Sequence, residues 1–444
     1  MSAAFHDRRI DGFETEELVA ALPHLSMIRH KMRADLRVAP EVTESSALGL
    51  ARVKIKGLET AEVAARVRRL SANQSEVRKR RPWLAFPDQP AADASPLDHL
   101  MYYLRCRFVD EWDGWMPVLG KNRFTPNVTS LPHISGGGVG PPKPAEGRPE
   151  PPAGVSPSAG TGVRVAVLDT MLYQHPDLAG GYLAEKECLF GPGQPEPGPP
   201  WPYWLGHATF VSGLIRRYAP AAALDVRRVL DDQATATAWD VACRMVELRD
   251  AGVQVINLSL GCHTADGAPP LVLSRAVELL APDVVIVAAA GNHGNSGPTE
   301  HWPHLTPKTP LFPAALPSVV AVGAHDRFAV PTKFSPKVPW LTFTAPGVDV
   351  VSTYLEGEVQ VKFPEHDHET EAAHHPGEPA PPEPFDGFAS WSGTSLSSAI
   401  VTGILASLAD PGCRGGWVAL RRLEEQIRRE TKRGTKGIVR VPKL

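Results

Sequence analysis

The chain has 444 residues, of which 43% are hydrophobic, and its formal net charge is −3. This length suits a large domain joined to a smaller one, and the apolar content is ample for a sizeable core. The small net charge excludes a global basic field for nucleic acid. The five cysteines are widely spaced and form no C-x-x-C pair, which argues against a disulfide scaffold or a zinc knuckle.

Targeting signals are not visible in the sequence. Residues 1–11 carry charges of both signs and no apolar run, so they predict no secretory leader. No stretch approaches the roughly 18 apolar residues that a spanning helix needs. We therefore expect a cytoplasmic protein without a membrane partner.

Residues 1–133 predict a small α+β module. Apolar residues recur at helical spacing over 14–37, a short strand fits 51–55, and a second helix fits 58–70. Residues 134–161 are rich in glycine and proline and have no apolar period, which is typical of a linker.

The pattern changes from residue 162. Nearly continuous apolar runs at 163–169, 253–261, 284–292 and 319–322 alternate with helical stretches at 236–249 and 271–280. Such alternation predicts an α/β fold with a mainly parallel sheet flanked by helices. Functional groups gather at the carboxyl ends of parallel strands, where Asp169, Ser259 and Asn292 stand.

Two polar insertions, at 191–202 and 363–385, interrupt a body that we place at 162–420. The second insertion holds four histidines, but their spacing fits no closed metal site, and we assign no metal to His366, His368, His374 and His375. Residues 421–444 are polar and basic and predict a C-terminal tail.

Three motifs carry the chemistry. Asp169 ends the strand in VAVLDT, His207 lies in GHATFVSG where a helix is expected to begin, and Ser395 lies in GTSLSSA at the start of a small-residue helix. A serine hydroxyl needs a base to become a nucleophile, and histidine has a suitable pKa. A buried aspartate would fix the imidazole tautomer. Singly, these residues could be a helix cap, a cleft histidine and an N-cap, but together and in this order they predict a catalytic triad.

A fourth motif, AAAGN, ends at Asn292. Its side-chain amide could be a turn feature or could stabilise an oxyanion, and the triad favours the second interpretation.

These four motifs resemble those of the subtilase family, which are D-T-G, H-G-T-H-V-A-G, A-A-G-N and G-T-S-M-A. The chain order Asp, His, Ser is also that of subtilisin. The resemblance covers residues 162 to about 410 and implies a sheet of about seven strands. It also implies a substrate cleft whose walls are formed by Ser259, Leu260, Gly261, Ala289, Ala290 and Gly291.

The sequence departs from the family pattern without losing a triad group. Met171 replaces a glycine, Ala208 and Phe210 replace a glycine and a histidine, Leu396 replaces methionine, and Ala399 replaces proline. The changes are mostly apolar. They raise the question of whether the turns around the triad keep their geometry.

The sequence therefore predicts a serine endopeptidase that acts on a protein or peptide through an acyl-enzyme, by limited proteolysis. It predicts no nucleic-acid partner and no required cofactor. Calcium sites recur in the family, but no residue here maps to one. A catalytically weak or inactive binding protein on the same scaffold, and an esterase, stay open as alternatives. The N-terminal module could be an inhibitory prodomain or a fixed recognition domain.

Overall fold

The structure is a computed structural model, and it describes residues 12–128, 139–191, 199–298, 304–361, 381–433 and 437–441. The α-helices of these residues are α1 (Leu22–Lys31), α2 (Ala61–Ala72), α3 (Gln74–Arg80), α4 (Pro96–Glu111), α5 (His207–Tyr218), α6 (Ala238–Val246), α7 (Leu271–Leu280), α8 (Thr394–Leu408) and α9 (Gly415–Arg433). The strands are β1 (Phe13–Ala21), β2 (Glu41–Ser45), β3 (Leu50–Lys54), β4 (Leu119–Pro126), β5 (Lys143–Pro144), β6 (Arg164–Asp169), β7 (Leu172–Tyr173), β8 (Tyr182–Leu183), β9 (Leu189–Phe190), β10 (Trp201–Pro202), β11 (Ala223–Arg228), β12 (Thr235–Thr237), β13 (Val255–Leu258), β14 (Val285–Ala289), β15 (Val319–His325), β16 (Phe343–Pro346), β17 (Val350–Gln360) and β18 (Glu383–Trp391).

A seven-stranded sheet forms the centre of the larger unit. Its order is β16-β15-β14-β13-β6-β11-β8, and every neighbouring pair is parallel. Alternate residues of its strands face opposite cores. Val165 and Val167 join the core under α5, α8 and α9, whereas Ala166 and Leu168 join the core under α6 and α7. Burial on both faces explains the continuous apolar runs, and the predicted α/β fold is confirmed.

The N-terminal module contains an antiparallel sheet of order β12-β4-β1-β3-β2. The single helix predicted over 14–37 is wrong, because β1 precedes α1. β1 lies between β3 and β4, with Leu18 in the module's own core and Val19 in the core shared with the α/β body. Pro23 falls in the first turn of α1, where proline is well tolerated.

The module is joined to the α/β body by shared backbone and buried side chains. β12, which belongs to the body by sequence, pairs with β4 and closes one edge of the module's sheet. At the same interface the buried Asn122 side chain donates to Glu17 Oε2 at 2.9 Å and accepts from the Trp239 backbone N–H at 3.1 Å.

The described part of the segment predicted as a linker lies against the α/β body. β5 pairs with β18, Arg148 forms an ion pair with Asp177, and Ala221 N donates to Ala159 O. A segment without an apolar period can still be held in place through its backbone.

The chain beyond residue 420 differs from the predicted tail. α9 continues to Arg433, and its Leu423 and Ile427 are buried in the core of the body. Arg440 exchanges backbone hydrogen bonds with Thr344 at the edge of the sheet. The tail is predicted from the many basic residues of this stretch, but its apolar residues recur at helical spacing and form one buried face of the helix.

Candidate active site

Asp169 and His207 meet at the carboxyl end of β6. His207 Nδ1 lies 2.8 Å from Asp169 Oδ1 and 2.9 Å from Oδ2, and both side chains are fully buried. The Thr170 backbone N–H also donates to Asp169 Oδ1, at 2.7 Å. Because a carboxylate accepts hydrogen bonds, Nδ1 carries the hydrogen and Nε2 is left as the basic nitrogen. His207 Nε2 has no hydrogen-bond partner among the described residues.

Ser395 is the second residue of α8, which packs against α5, the helix that begins at His207. Its Oγ is buried and, like His207 Nε2, makes no hydrogen bond within the described chain. The position at a helix N-terminus offers backbone N–H groups and a positive potential to a developing anion. The structure thus orients His207 through Asp169 and shows no bond between His207 and Ser395.

A buried polar network anchors the start of α8 to the sheet. Ser398 Oγ donates to Ser395 O at 2.8 Å, Thr402 Oγ1 donates to Asn257 Oδ1 at 3.0 Å, and Asn257 Nδ2 donates to Ser259 Oγ at 3.0 Å. The first bond lies within α8, whereas the other two link α8 through Thr402 to Asn257 of β13 and to Ser259 just beyond it.

Asn292 is held from one side and points to a peptide group on the other. Its Oδ1 accepts from Thr394 N at 3.0 Å and from Thr394 Oγ1 at 3.1 Å. Its Nδ2 donates to the carbonyl oxygen of Val128 at 3.3 Å. The amide is therefore already oriented to donate to a carbonyl beside the Ser395 helix, which is the requirement for stabilising an oxyanion.

Val128 belongs to an extended segment that pairs with Ser259, Leu260 and Gly261, the residues predicted as one wall of a substrate cleft. Asn127 forms an antiparallel bridge with Leu260, Val128 N donates to Ser259 O at 3.1 Å, and Gly261 N donates to Pro126 O at 3.1 Å. On its other side, Asn127 N donates to Ala234 O at 2.9 Å. The end of the N-terminal module thus lies between two backbone segments, one of which contains the predicted wall residues 259–261.

The residues predicted as cleft walls contribute mainly backbone. Ser259 and Gly261 bind the segment through their main chain, while the Leu260 and Ala290 side chains lie in the core under α6 and α7. The Ala289 side chain joins the buried cluster that contains the segment's Val128. Gly291 donates its N–H to Thr394 Oγ1 at 3.1 Å and adopts a φ of +103°, which favours glycine. Successive side chains of an extended strand point to opposite faces, so the backbone of residues 259–261 pairs with the segment while the Leu260 side chain lies in the core.

The family departures are accommodated by apolar packing around His207. The Trp391 ring lies 5.5 Å from the His207 ring and 5.8 Å from Phe210, both in edge-on contact. Leu396, Ala399 and Met171 are buried in the same core, and Met171 has no positive φ. The site thus needs no glycine after Asp169–Thr170.

Sequence reasoning missed Thr394, which orients Asn292, and Val128, which fills the cleft. The G-T-S motif contains Thr394, but Asn292, whose side chain bonds the Thr394 hydroxyl, lies about 100 residues away in the chain. No local signal marks the second.

No group of three or more His, Cys, Asp or Glu side chains is placed to hold a metal ion in the described ranges. The four histidines of the second insertion lie outside those ranges. No described helix is long and apolar enough to cross a bilayer.

The sequence profile described as the subtilase family matches residues 160–425. The chain belongs to the subtilase family. A thermophilic serine proteinase of Bacillus sp. (strain AK1) is 30% identical over 266 residues, which are 57% of this chain and 53% of that protein. Thermitase from Thermoactinomyces vulgaris is 28% identical over 265 residues, covering 57% of this chain and 77% of thermitase. The chain thus spans about half the length of the first relative.

Among solved structures, fervidolysin from Fervidobacterium pennivorans, a keratinolytic enzyme related to subtilisin, aligns with a TM-score of 0.54. The alignment covers 89% of this chain and 55% of that chain at 16% identity, so it shows the fold. The predicted membership of a family of serine peptidases is confirmed, and the fold of this subtilase agrees with it.

Proposed function

We propose that this subtilase is a serine endopeptidase that hydrolyses peptide bonds through an acyl-enzyme. Ser395 attacks the carbonyl carbon, His207 Nε2 takes the hydroxyl proton and returns it to the leaving amine, and Asp169 orients and stabilises the imidazolium. Asn292 Nδ2 and the Ser395 backbone N–H hold the oxyanion.

One observation carries this proposal. A peptide carbonyl, that of Val128, accepts from Asn292 Nδ2 while the backbone on its N-terminal side pairs with residues 259–261. The cleft therefore binds an extended peptide and directs one carbonyl to the donor beside Ser395.

We infer that the N-terminal module inhibits the enzyme, rather than serving only as a recognition domain. The support is that its final described residues, 126–128, occupy the cleft. The carbonyl presented to Asn292 makes the bond after Val128 the expected position of self-cleavage. Limited proteolysis fits this arrangement, because another substrate must first displace the segment. A cytoplasmic location stays a prediction that cell fractionation would test.

The main alternative is a binding protein without catalysis. Two observations support it: within the described ranges neither Ser395 Oγ nor His207 Nε2 has a hydrogen-bond partner, whereas the serine and histidine of a catalytic triad are hydrogen-bonded to each other. An esterase would use the same groups and would be separated by comparing ester and peptide substrates.

The test is labelling of the full chain with a fluorophosphonate probe, with mass spectrometry of the labelled peptide and of the chain's N-terminus. We expect labelling at Ser395 and a new N-terminus at the residue after Val128. Ser395→Ala should abolish both, whereas Ser407→Ala, on the same helix and away from the cleft, should keep both. A folded wild-type chain that neither labels nor cleaves would favour the binding protein.

A further inference from the structure

The small cluster of Val128, Ala289 and Leu311 suggests what kind of residue the enzyme accepts before the scissile bond. All three side chains are buried, and they form a cluster separate from the large cores. Val128 is the residue whose carbonyl meets Asn292, so its side chain occupies the pocket for the residue that precedes the cleaved bond, which we call the P1 residue.

Leu311 lies between the two walls of this pocket. A Cβ placed on Gly261 would be 2.8 Å from Leu311 Cγ, and one placed on Gly291 would be 3.2 Å from Leu311 Cδ2. The side chain of Leu311 thus touches both glycine walls and fills the space that the two missing Cβ atoms leave.

The backbone holds Leu311 in this position. The next residue, Phe312, exchanges two hydrogen bonds with Cys262, each 2.9 Å long. Ala315 N also donates to Leu311 O at 2.8 Å. On the other side, the Pro310 carbonyl accepts from His263 Nδ1 at 2.9 Å. Because both chain neighbours of Leu311 are bonded to residues 262 and 263, the backbone of Leu311 is fixed beside the pocket.

We propose that Leu311 closes the P1 pocket and restricts this subtilase to substrates with valine or a similarly small aliphatic residue at P1. This inference rests on the proposed endopeptidase function. An aromatic P1 ring would have to displace the Leu311 side chain from between the glycines. Overfilling a packed site is destabilising, and one methylene in an apolar pocket changes discrimination by about 10- to 200-fold.

The experiment measures kcat/KM for quenched peptides that differ only at P1, as valine, leucine or phenylalanine. It uses protein produced from the full chain, with active molecules counted by fluorophosphonate labelling. Wild type should prefer valine to phenylalanine by at least about tenfold. Leu311→Ala should lower that ratio by about tenfold or more, and Leu311→Val, a milder change that protects against a folding failure, should raise cleavage after leucine.

Leu316→Ala is the matched control, because Leu316 is buried in the same connection between β14 and β15 but packs in the core under α6 and α7. Its valine-to-phenylalanine ratio should equal that of wild type. In the full chain, Val128→Phe should slow self-cleavage, and adding Leu311→Ala should restore it.

The outcomes separate the two proposals. Two results would overturn the role of Leu311 alone. One is a valine-to-phenylalanine ratio that is the same in Leu311→Ala as in wild type, and the other is a wild-type enzyme that prefers phenylalanine at P1. Absence of labelling and of all peptide cleavage in folded protein would overturn the endopeptidase function and the P1 preference together.

Discussion

At the scale of single residues, the orientation of His207 depends on one carboxylate. Both Asp169 oxygens are within 2.9 Å of His207 Nδ1, and neither residue is exposed to solvent. A neutral amide in place of the carboxylate could donate to Nδ1 and thereby select the wrong tautomer.

We therefore expect Asp169→Asn to reduce the rate of fluorophosphonate labelling by a factor on the order of 10⁴, with the fold retained. The labelling rate and the circular dichroism spectrum measure the two effects. Asp177→Asn, which alters an aspartate paired with Arg148, is the control and should label like wild type. Unchanged labelling in Asp169→Asn would contradict the triad.

A second residue-scale feature is the buried pair His263 and His293 beside the cleft. Their rings lie 4.5 Å apart, and each donates to a backbone carbonyl, of Pro310 and Thr309 respectively, at 2.9 Å. Burial lowers the pKa of His263 from 6.5 to about 4, and burial together with His263 lowers the pKa of His293. Both rings are therefore neutral in the native protein at pH 7.

As the pH falls, His263 binds a proton near pH 6.5 in the unfolded chain but only near pH 4 in the native state. The contribution of His263 to the free energy of unfolding is therefore complete above pH 6.5. It is lost as the pH falls toward 4. We expect the free energy of unfolding to decrease by about 3 kcal/mol over this range from His263 alone. Urea titrations at several pH values measure it. His263→Gln should flatten the dependence, whereas the exposed His304→Gln should not; equal slopes in all three proteins would refute the assignment.

At the scale of elements, α9 shows how a basic stretch becomes part of the core. Leu423 and Ile427 are buried. Arg428, the residue after Ile427, is exposed, with 68% of its side chain accessible. α9 also packs against α8, the helix that carries Ser395. The position of Ser395 is therefore supported by the packing of α9 against α8.

We expect Ile427→Asp to lower the free energy of unfolding by about 3 kcal/mol or more, because it places an unpaired carboxylate in an apolar core. Thermal and urea unfolding measure the loss, and fluorophosphonate labelling should decline with the folded fraction. Arg428→Asp, one residue further on the exposed face, should change stability by less than about 1 kcal/mol. Similar stabilities for the two variants would mean that α9 does not pack as described.

At the scale of the whole molecule, the module and the α/β body form one continuous structure around the cleft. Val19 of the module shares a core with α6 and α7, Asn122 bridges the interface, and residues 126–128 pair with residues 259–261 of the proposed substrate cleft. Only the last of these contacts touches the cleft, so it can be altered without removing the rest.

Val128→Asp should therefore release the segment, because the side chains that cluster with Val128, those of Ala289 and Leu311, are apolar and would bury the new charge at a high cost in free energy. We expect Ser395 labelling to become at least several-fold faster, in a chain that is otherwise folded. Val118→Asp, at an exposed site of the same module, should leave the rate unchanged. If Val128→Asp labels no faster than wild type, the module does not inhibit, and a recognition role would take precedence.

The α/β body and the identity of its chemical groups follow from the amino-acid sequence alone. Burial on both faces of a parallel strand requires a continuous apolar run, and the polar residue that ends each run must lie at one edge of the sheet. Asp169 and Asn292 could be placed there for this reason, and the motifs around His207 and Ser395 added the family.

The positions of the remaining segments depend on long-range packing in the folded protein. β1 became a strand because β3 and β4 flank it, and α9 became part of the core because the body has a surface for Leu423 and Ile427. Val128 is positioned by pairing with residues 259–261, and Leu311 lies beside Gly261 and Gly291 in the connection between β14 and β15. These placements depend on contacts between residues far apart in the chain, which local periodicity does not encode.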